Sequence, residues 1–288
     1  MSRSRASPHR VRLTRLVHTA KPLRASAAVA VPIDDPVAVT VSMLCGSFAG
    51  VLDRVRKTDV VALSEDLTTI LFDFHATLAR SRGRGAWIRA AREHAGRPTM
   101  RDADAADGGP QRLLNGLSQV WVLARHRDPL SSWDLNAADH REAFTTVLTK
   151  DVGCAEWLAT ALYDVMPDQW VLYDDVIDVL TSLRRAGKHL GVVSNIGIDI
   201  RPRLDALGVL PLFSSVVLSF EVGVTKPDPA IFTKALRDLG SSASRTLMVG
   251  DTWDQDGAAA AVGMSTLILP VKDRPSKGLR AVLDICRI

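Results

Sequence analysis

The stretch Ile70-Leu71-Phe72-Asp73-Phe74-His75-Ala76-Thr77-Leu78 is the most informative part of the sequence. Its apolar start predicts a buried strand, and Asp73 follows directly where that strand ends. Three later segments each deliver a polar side chain in the same way. They are Leu190-Gly191-Val192-Val193 before Ser194-Asn195, Val224-Thr225-Lys226-Pro227, and Leu247-Met248-Val249-Gly250 before Asp251. Ligands bind beyond the carboxyl ends of parallel strands, so we expect these side chains to meet there.

The residue types at these four places suit the chemistry of a phosphoryl group. A phosphoryl group carries negative charge, so an anionic Asp73 approaches it only if cations and hydrogen-bond donors neutralise that charge. Lys226 and Ser194 supply such groups. Asp251 and Asp256, in Gly250-Asp251-Thr252-Trp253-Asp254-Gln255-Asp256, supply the hard oxygen ligands that Mg²⁺ prefers. Taken singly, each aspartate is more typical of a turn or a helix cap, and the joint order of the motifs favours the functional interpretation.

From Thr68 to Leu269 the chain resembles the haloacid dehalogenase (HAD) superfamily, most of whose members are Mg²⁺-dependent phosphatases. The resemblance implies a small phosphorylated metabolite as substrate and a specific set of site residues. Asp73 is expected to form an aspartyl-phosphate, Ser194 and Lys226 to assist it, and Thr77 and Asn195 to contact substrate. The expected metal ligands are Asp73, the backbone carbonyl of His75, Asp251 and Asp256, with Asp254 the weaker alternative to Asp256.

His75 departs from the family pattern. Phosphatases of the family usually carry there a second aspartate, which protonates the leaving group and then activates water. An imidazole with an ordinary pKa of about 6.5 suits general acid–base work, so His75 is a candidate proton carrier. The alternative is that His75 marks a weak enzyme or a non-catalytic binding protein that keeps the fold.

Dehalogenases of the same fold are a second comparison, because they lack both the metal and an aspartate at the position of His75. Ser194-Asn195 suits them as well. Their fourth motif, however, does not keep acids like Asp251 and Asp256, which make sense only where a cation is bound. Phosphate chemistry is therefore favoured over halide displacement.

Helices alternate with apolar strands after Tyr173, which predicts an α/β fold with a Rossmann-like parallel sheet covered by helices on both faces. The predicted helices cover Asp174 to Ala186, Ile198 to Leu207, Pro229 to Leu239 and Gly257 to Val262, and the strands include Ser215 to Leu218 and Thr266 to Leu269. This core is expected over residues 67–81 and 170–288.

No strand is predicted over residues 82–169, between the two parts of the core. This connection is too long to be a loop without secondary structure. Four helical patterns indicate a helical cap over residues 82–169. They cover Ala86 to Ala95, Gln111 to Ala124, Ala137 to Thr149 and Ala155 to Met166. The resemblance places such a cap over the site, where it excludes water and selects substrate. The tryptophans of the cap are interpreted as its core.

The net charge of +4 does not indicate nucleic-acid binding. Residues 1–33 hold seven basic and no acidic residues, so the rest of the chain is slightly acidic.

Residues 1–40 are expected to be a disordered leader: a tail, a targeting peptide, or sequence upstream of a start at Met43. Residues 41–66 are expected to form a helix beside the core. The uncharged run Val37 to Leu52, which overlaps this segment, is too short to span a membrane. The three scattered cysteines favour a reducing cytoplasm over a disulfide framework. The oligomeric state is open.

Overall fold

The computed structural model describes residues 27–32, 36–41, 67–97, 109–269, 271 and 275–288. The expectations for residues 1–26 and 42–66 lie outside this part. The described strands are β1 (Ala27–Pro32), β2 (Pro36–Val41), β3 (Thr69–Phe72), β4 (Ala79–Ser81), β5 (Trp170–Leu172), β6 (His189–Ser194), β7 (Ser215–Leu218), β8 (Thr246–Gly250) and β9 (Ser265–Ile268).

The described α-helices are α1 (Arg84–His94), α2 (Gly109–Arg127), α3 (Ala137–Thr146), α4 (Glu156–Asp164), α5 (Val176–Arg185), α6 (Arg201–Ala206), α7 (Ser219–Val222), α8 (Pro229–Asp238) and α9 (Arg280–Cys286). The segment Gly257–Val262, predicted as a helix, is a 3₁₀-helix. Asp228 begins α8, where its side chain accepts a hydrogen bond from the backbone N–H of Ala230 and Pro229 fills the first turn. No helix in the described ranges is both long and apolar enough to cross a membrane.

The main sheet has the strand order β1-β2-β9-β8-β3-β6-β7, and its five strands from β9 to β7 are parallel. This confirms the predicted Rossmann-like parallel sheet. β3 lies at the centre, and all four of its residues are buried. Ile70 and Phe72 join the hydrophobic cluster on one face with α5 and α9, whereas Leu71 joins the cluster on the other face with α8. The alternation explains why an uninterrupted apolar run was needed here.

β1 and β2 pair antiparallel with each other, and β2 pairs antiparallel with β9 at the edge of the sheet. This differs from the expectations for these residues, which were a disordered leader and, from Val37, a helix. The valines of β2 alternate at positions 37, 39 and 41, a β-branched pattern that favours a strand. The alternation of the valines therefore predicted the secondary structure of β2 better than the absence of charge in Val37 to Leu52 did.

Helices α1 to α4 form a helical insert, defined here as residues 84–164, between β4 and β5. β4 and β5 pair antiparallel, so the chain enters and leaves the insert through one two-stranded ribbon. The insert contacts the core near the end of β6: Ser219 Oγ donates to the backbone O of Asp134 at 2.6 Å and accepts from Ile196 N at 2.8 Å. Residues of the insert therefore lie close to Ser194 and Asn195.

Candidate active site

Asp73 lies directly beyond the carboxyl end of β3. Its backbone N–H donates to the carbonyl of Val249 on β8 at 2.8 Å, which continues the parallel ladder by one step. Phe72 is in register with Val192 and with Val249, so Asp73 lies between the ends of β6 and β8, near Ser194 and Asp251. Its side chain is almost fully buried. Parallel pairing thus assembles residues that are far apart in sequence.

Lys226 holds two carboxylates at once. Its Nζ donates to Asp73 Oδ1 at 2.7 Å and to Asp256 Oδ1 at 2.6 Å, and all three side chains are buried. Burial by itself lowers the pKa of Lys226, but the charges of Asp73 and Asp256 outweigh burial and hold that pKa above its ordinary value. Lys226 is therefore a permanent cation against the candidate nucleophile.

Asp256 organises the turn that carries Asp251. Its Oδ2 accepts hydrogen bonds at 3.1 Å from the backbone N–H of Asp251 and from both the backbone N–H and the hydroxyl of Thr252. A Cβ on Gly250 would lie 2.1 Å from Asp256 Cγ, so only glycine leaves room for this carboxylate. Asp254, the weaker alternative, is exposed. Of the two acids, Asp256 is the one directed into the site.

Three carboxylates converge at this end of the sheet. Oxygens of Asp73, Asp251 and Asp256 lie within 4.8 Å of one another, an all-oxygen set of the type that Mg²⁺ prefers. Burial raises the pKa of Asp73 to about 7, with Lys226 opposing and Asp256 and Asp251 adding to it. Burial and the charge of Asp256 raise the pKa of Asp251 to about 6. Lys226 and the charge of the nearby Lys277 together do not balance these three carboxylates, so the group fits a divalent cation.

Two hydroxyls near the predicted site have no hydrogen-bond partner among the described residues. These are Ser194 Oγ, at the end of β6, and Thr77 Oγ1, in the loop after Asp73, and both are buried. An unpartnered buried hydroxyl costs free energy unless a ligand or water pairs with it. The side chain of Asn195, predicted to contact substrate, binds the backbone of Lys226: Oδ1 accepts from Lys226 N at 2.7 Å and Nδ2 donates to Lys226 O at 3.0 Å.

His75 lies in the loop after Asp73 and is half-buried. Its ring packs edge to face against Phe74, with 4.9 Å between centroids, and against Trp170, at 4.7 Å. Burial, and then the charge of Lys226, lowers the pKa of His75 to about 4. The imidazole is therefore neutral at pH 7, and its proton-accepting form is the dominant one.

Lys277 and Asp175 were not found from the sequence. Lys277 is buried and its charge acts on Asp251; its Nζ donates to the carbonyl of Leu269 at 2.7 Å. Asp175, at the start of α5, accepts from the backbone N–H groups of Lys277, Gly278 and Leu279 at 2.7 to 3.0 Å. No apolar strand pattern precedes Lys277 in the sequence. Tertiary packing brings it near Asp251, and the local sequence does not indicate this.

A family model described as a haloacid dehalogenase-like hydrolase matches residues 67–263. The chain is 34% identical over 148 residues to the haloacid dehalogenase-like hydrolase domain-containing protein 3 of Danio rerio; the match covers 50% of this chain and 60% of the relative. It is 41% identical over 97 residues to glyceraldehyde 3-phosphate phosphatase of Methanopyrus kandleri, a match that covers 33% of this chain and 42% of the relative. The chain thus spans less than two thirds of the length of these relatives.

Solved structures of the same fold belong to proteins with different stated activities. A HAD phosphatase from Thermococcus onnurineus superposes with a TM-score of 0.53 at 22% identity and covers 77% of this chain and 100% of its own. The L-2-haloacid dehalogenase of Xanthobacter autotrophicus superposes with a TM-score of 0.51 at 21% identity and covers 69% and 76%. At these identities the likeness concerns the fold.

Proposed function

The chain belongs to the haloacid dehalogenase-like hydrolase family, and we propose that within it the protein is a Mg²⁺-dependent phosphatase that acts through an aspartyl-phosphate on Asp73. The observation that carries this proposal is the bridge from Lys226 to Asp73 and Asp256, beside the free carboxylate of Asp251. A nucleophile, a fixed cation and spare oxygen ligands are the parts that phosphoryl transfer requires.

In the first step one carboxylate oxygen of Asp73 attacks phosphorus, and the bond from phosphorus to the ester oxygen breaks. The hydrogen bond from Lys226 fixes Oδ1, which leaves Oδ2 for the attack. The Ser194 hydroxyl, which has no partner among the described residues, donates to a phosphoryl oxygen, and Lys226 neutralises part of the charge. The alkoxide that leaves takes its proton from water.

In the second step water attacks phosphorus and releases Asp73 and inorganic phosphate. With a pKa of about 4, His75 is neutral near pH 7, so it accepts a proton from this water as a weak base and carries no proton for the leaving group. Family resemblance assigned both proton transfers to this position. The buried ring environment of His75 favours the second transfer alone.

The metal would be held by Asp73, Asp251 and the backbone carbonyl of His75, with Asp256 as support. When bound, Mg²⁺ neutralises the phosphate and lets the anionic nucleophile approach it. Asp256 already accepts from Lys226, Asp251 and Thr252, so its main part is to position these groups. Among the described residues, no side chain donates a hydrogen bond to the Asp251 carboxylate. Its oxygens are therefore the most available of the three acids for metal coordination.

Hydrolysis of p-nitrophenyl phosphate with and without Mg²⁺ tests the proposal. Activity is expected to require Mg²⁺ and to disappear in Asp73→Asn, whereas the exposed Asp254→Asn serves as the matched control and keeps it. His75→Asp separates the two interpretations of His75: a large increase in turnover means that histidine is a handicap, and a decrease means that it carries a proton.

Two other functions give different results in the same set of assays. A non-catalytic member of the family would bind phosphate compounds without any turnover. A dehalogenase would release chloride from a 2-haloacid without metal. The approach of Asp251 and Asp256 to Asp73 disfavours the dehalogenase, because halide displacement needs no metal and so no cluster of three carboxylates to hold one.

A further inference from the structure

A cavity of about 630 Å³ lies between the helical insert and the end of the sheet that carries Asp73. On the core side it is lined by His75, Asn195 and Gln255, which follow or contact the residues of the candidate active site. On the other side it is lined by the insert, mainly by α2. A group that leaves from a phosphate at Asp73 therefore has this space beside it.

Aromatic rings dominate the walls of the cavity. The ring-bearing lining residues are His75, Trp87, Trp121, His126, Trp133, His140 and Trp170. Trp121 is half-buried and stacks on Trp133 with 5.8 Å between centroids, and it lies 4.4 Å from the His140 ring. Rings held in fixed positions by other rings offer flat apolar surface with little loss of conformational freedom on binding.

The cavity offers little to an anionic leaving group. Arg125 is the one lysine or arginine among the described lining residues, and its Nη1 donates to the carbonyls of Pro129 at 3.1 Å and Ser131 at 2.8 Å. Its guanidinium also lies 4.0 Å from the ring centroid of Trp133. The insert itself therefore binds this cation.

Asp134 adds a negative charge to the same cavity. Its position is fixed by the hydrogen bond from Ser219 to its backbone carbonyl. Its carboxylate lies 4.0 Å from His140 Nε2, and Arg125 and Lys226 act on it electrostatically. Burial raises the pKa of Asp134 to about 6, with Arg125 and Lys226 opposing, so the carboxylate is ionised at pH 8. A second carboxylate or phosphate on the substrate would be repelled.

We propose that this cavity binds the leaving group of the substrate and that this leaving group is a ring-bearing alcohol without an anionic substituent. The inference rests on the proposed phosphatase function. It distinguishes the chain from relatives named as phosphoglycolate and phosphoserine phosphatases, whose named substrates carry a carboxylate. The volume is in the range of sites for ligands larger than such two- or three-carbon compounds.

A substrate series at pH 8 with Mg²⁺ tests this class. Benzyl phosphate and n-propyl phosphate both release an aliphatic alcohol, so they differ in recognition more than in leaving-group ability. We expect kcat/KM for benzyl phosphate to exceed that for n-propyl phosphate and phosphoglycolate by about tenfold or more, which corresponds to about 1.4 kcal/mol. A preference for phosphoglycolate, or for phosphocholine as a cationic substrate, would overturn the proposal.

Two variants locate the preference in the cavity. Trp121→Ala is expected to lower kcat/KM for benzyl phosphate about tenfold more than it lowers kcat/KM for acetyl phosphate, whose leaving group has no ring. Trp157→Ala is the matched control, since Trp157 lies in the insert but does not line the cavity. Asp134→Asn keeps the side-chain shape and is expected to raise kcat/KM for phosphoglycolate severalfold, whereas Asp168→Asn, whose side chain is exposed, changes nothing. Equal losses on benzyl and acetyl phosphate in Trp121→Ala would contradict a binding role, as would no effect of Asp134→Asn.

Failure of the phosphatase function is separable from failure of this inference. If neither acetyl phosphate nor p-nitrophenyl phosphate is hydrolysed, the proposed function is wrong. Quenching of tryptophan fluorescence by benzyl phosphate then still reports on the cavity, and loss of that quenching in Trp121→Ala but not in Trp157→Ala supports it. Hydrolysis of acetyl phosphate without any preference for benzyl phosphate refutes the inference alone.

Discussion

The side chain of Asn195 forms a two-point hydrogen-bonded contact with the backbone of Lys226, at 2.7 Å through Oδ1 and at 3.0 Å through Nδ2. The loop that carries the lysine is thereby fixed to the end of β6, beside Ser194. The same lysine forms the bridge to Asp73, so this contact helps to hold the bridge in place. Asn195 therefore positions a residue of the site.

Asn195→Ala is expected to lower kcat by about tenfold or more and stability by about 1 to 3 kcal/mol, because two hydrogen bonds are lost and Lys226 is free to shift. Steady-state kinetics and urea unfolding measure the two effects. Asn136→Ala, which removes the side chain that caps α3, is the control: it loses stability through its cap without the same loss of kcat. Unchanged kcat in Asn195→Ala would contradict the positioning role.

Asp256→Ala is expected to destabilise the protein by about 3 to 5 kcal/mol, because it removes one of the two carboxylates that compensate the buried Lys226. Unfolding by guanidinium chloride measures this. Asp254→Ala, exposed and two positions away, is the control and is expected to change stability by less than about 0.5 kcal/mol. Equal effects of the two substitutions would show that the bridge to Lys226 contributes little.

Gly250→Ala tests the close approach of the Asp256 carboxylate to the backbone at position 250. An added Cβ would lie 2.1 Å from Asp256 Cγ, so the carboxylate must move and its bonds to Asp251 and Thr252 must break. We expect activity to fall by about 100-fold or more, a cost of about 2.7 kcal/mol at the transition state. Gly85→Ala is the control, since a Cβ there has ordinary contacts only. Full activity of Gly250→Ala would refute the close packing.

His140 predicts a dependence of stability on pH. Its ring is buried, Nδ1 lies 2.8 Å from the Tyr163 hydroxyl, and burial, with a smaller contribution from His75, lowers the pKa of His140 to about 3. The unfolded chain binds a proton below its ordinary pKa of about 6.5 whereas the folded protein does not, so stability falls as pH drops below that value. Between pH 7.5 and pH 5 the loss from this residue is about 2 kcal/mol.

The measurement is the difference in unfolding free energy between the two pH values, in the wild type and in His140→Gln. The variant lacks the titrating group and is expected to lose about 2 kcal/mol less over this range. Because other groups titrate identically in both proteins, they cancel in the comparison. An identical pH dependence in both proteins would mean that His140 binds a proton in the folded state as readily as in the unfolded chain, which would contradict its lowered pKa.

Local sequence was sufficient for the centre of the fold. The apolar runs that become β3, β6 and β8 are each followed by a polar residue, and parallel pairing alone then brings Asp73 beside Ser194 and Asp251. Lys277 and Asp134 could not be found this way, because each reaches the site region from a distant segment whose local pattern is that of an ordinary loop. β1 and β2 were missed for a different reason: β1 follows a basic segment whose composition indicated disorder, and the uncharged run from Val37 indicated a helix although its valines alternate.

Chemical trapping of the intermediate on Asp73 tests the proposed aspartyl-phosphate mechanism directly. The enzyme is mixed with p-nitrophenyl phosphate and Mg²⁺, quenched in acid and reduced with borohydride, which converts an aspartyl-phosphate to homoserine, and the digest is examined by mass spectrometry. If Asp73 is the nucleophile, homoserine is expected at position 73 in substrate-treated protein and not in untreated protein. Phosphate release by the wild type without modification at position 73, or with modification at another residue, would contradict it.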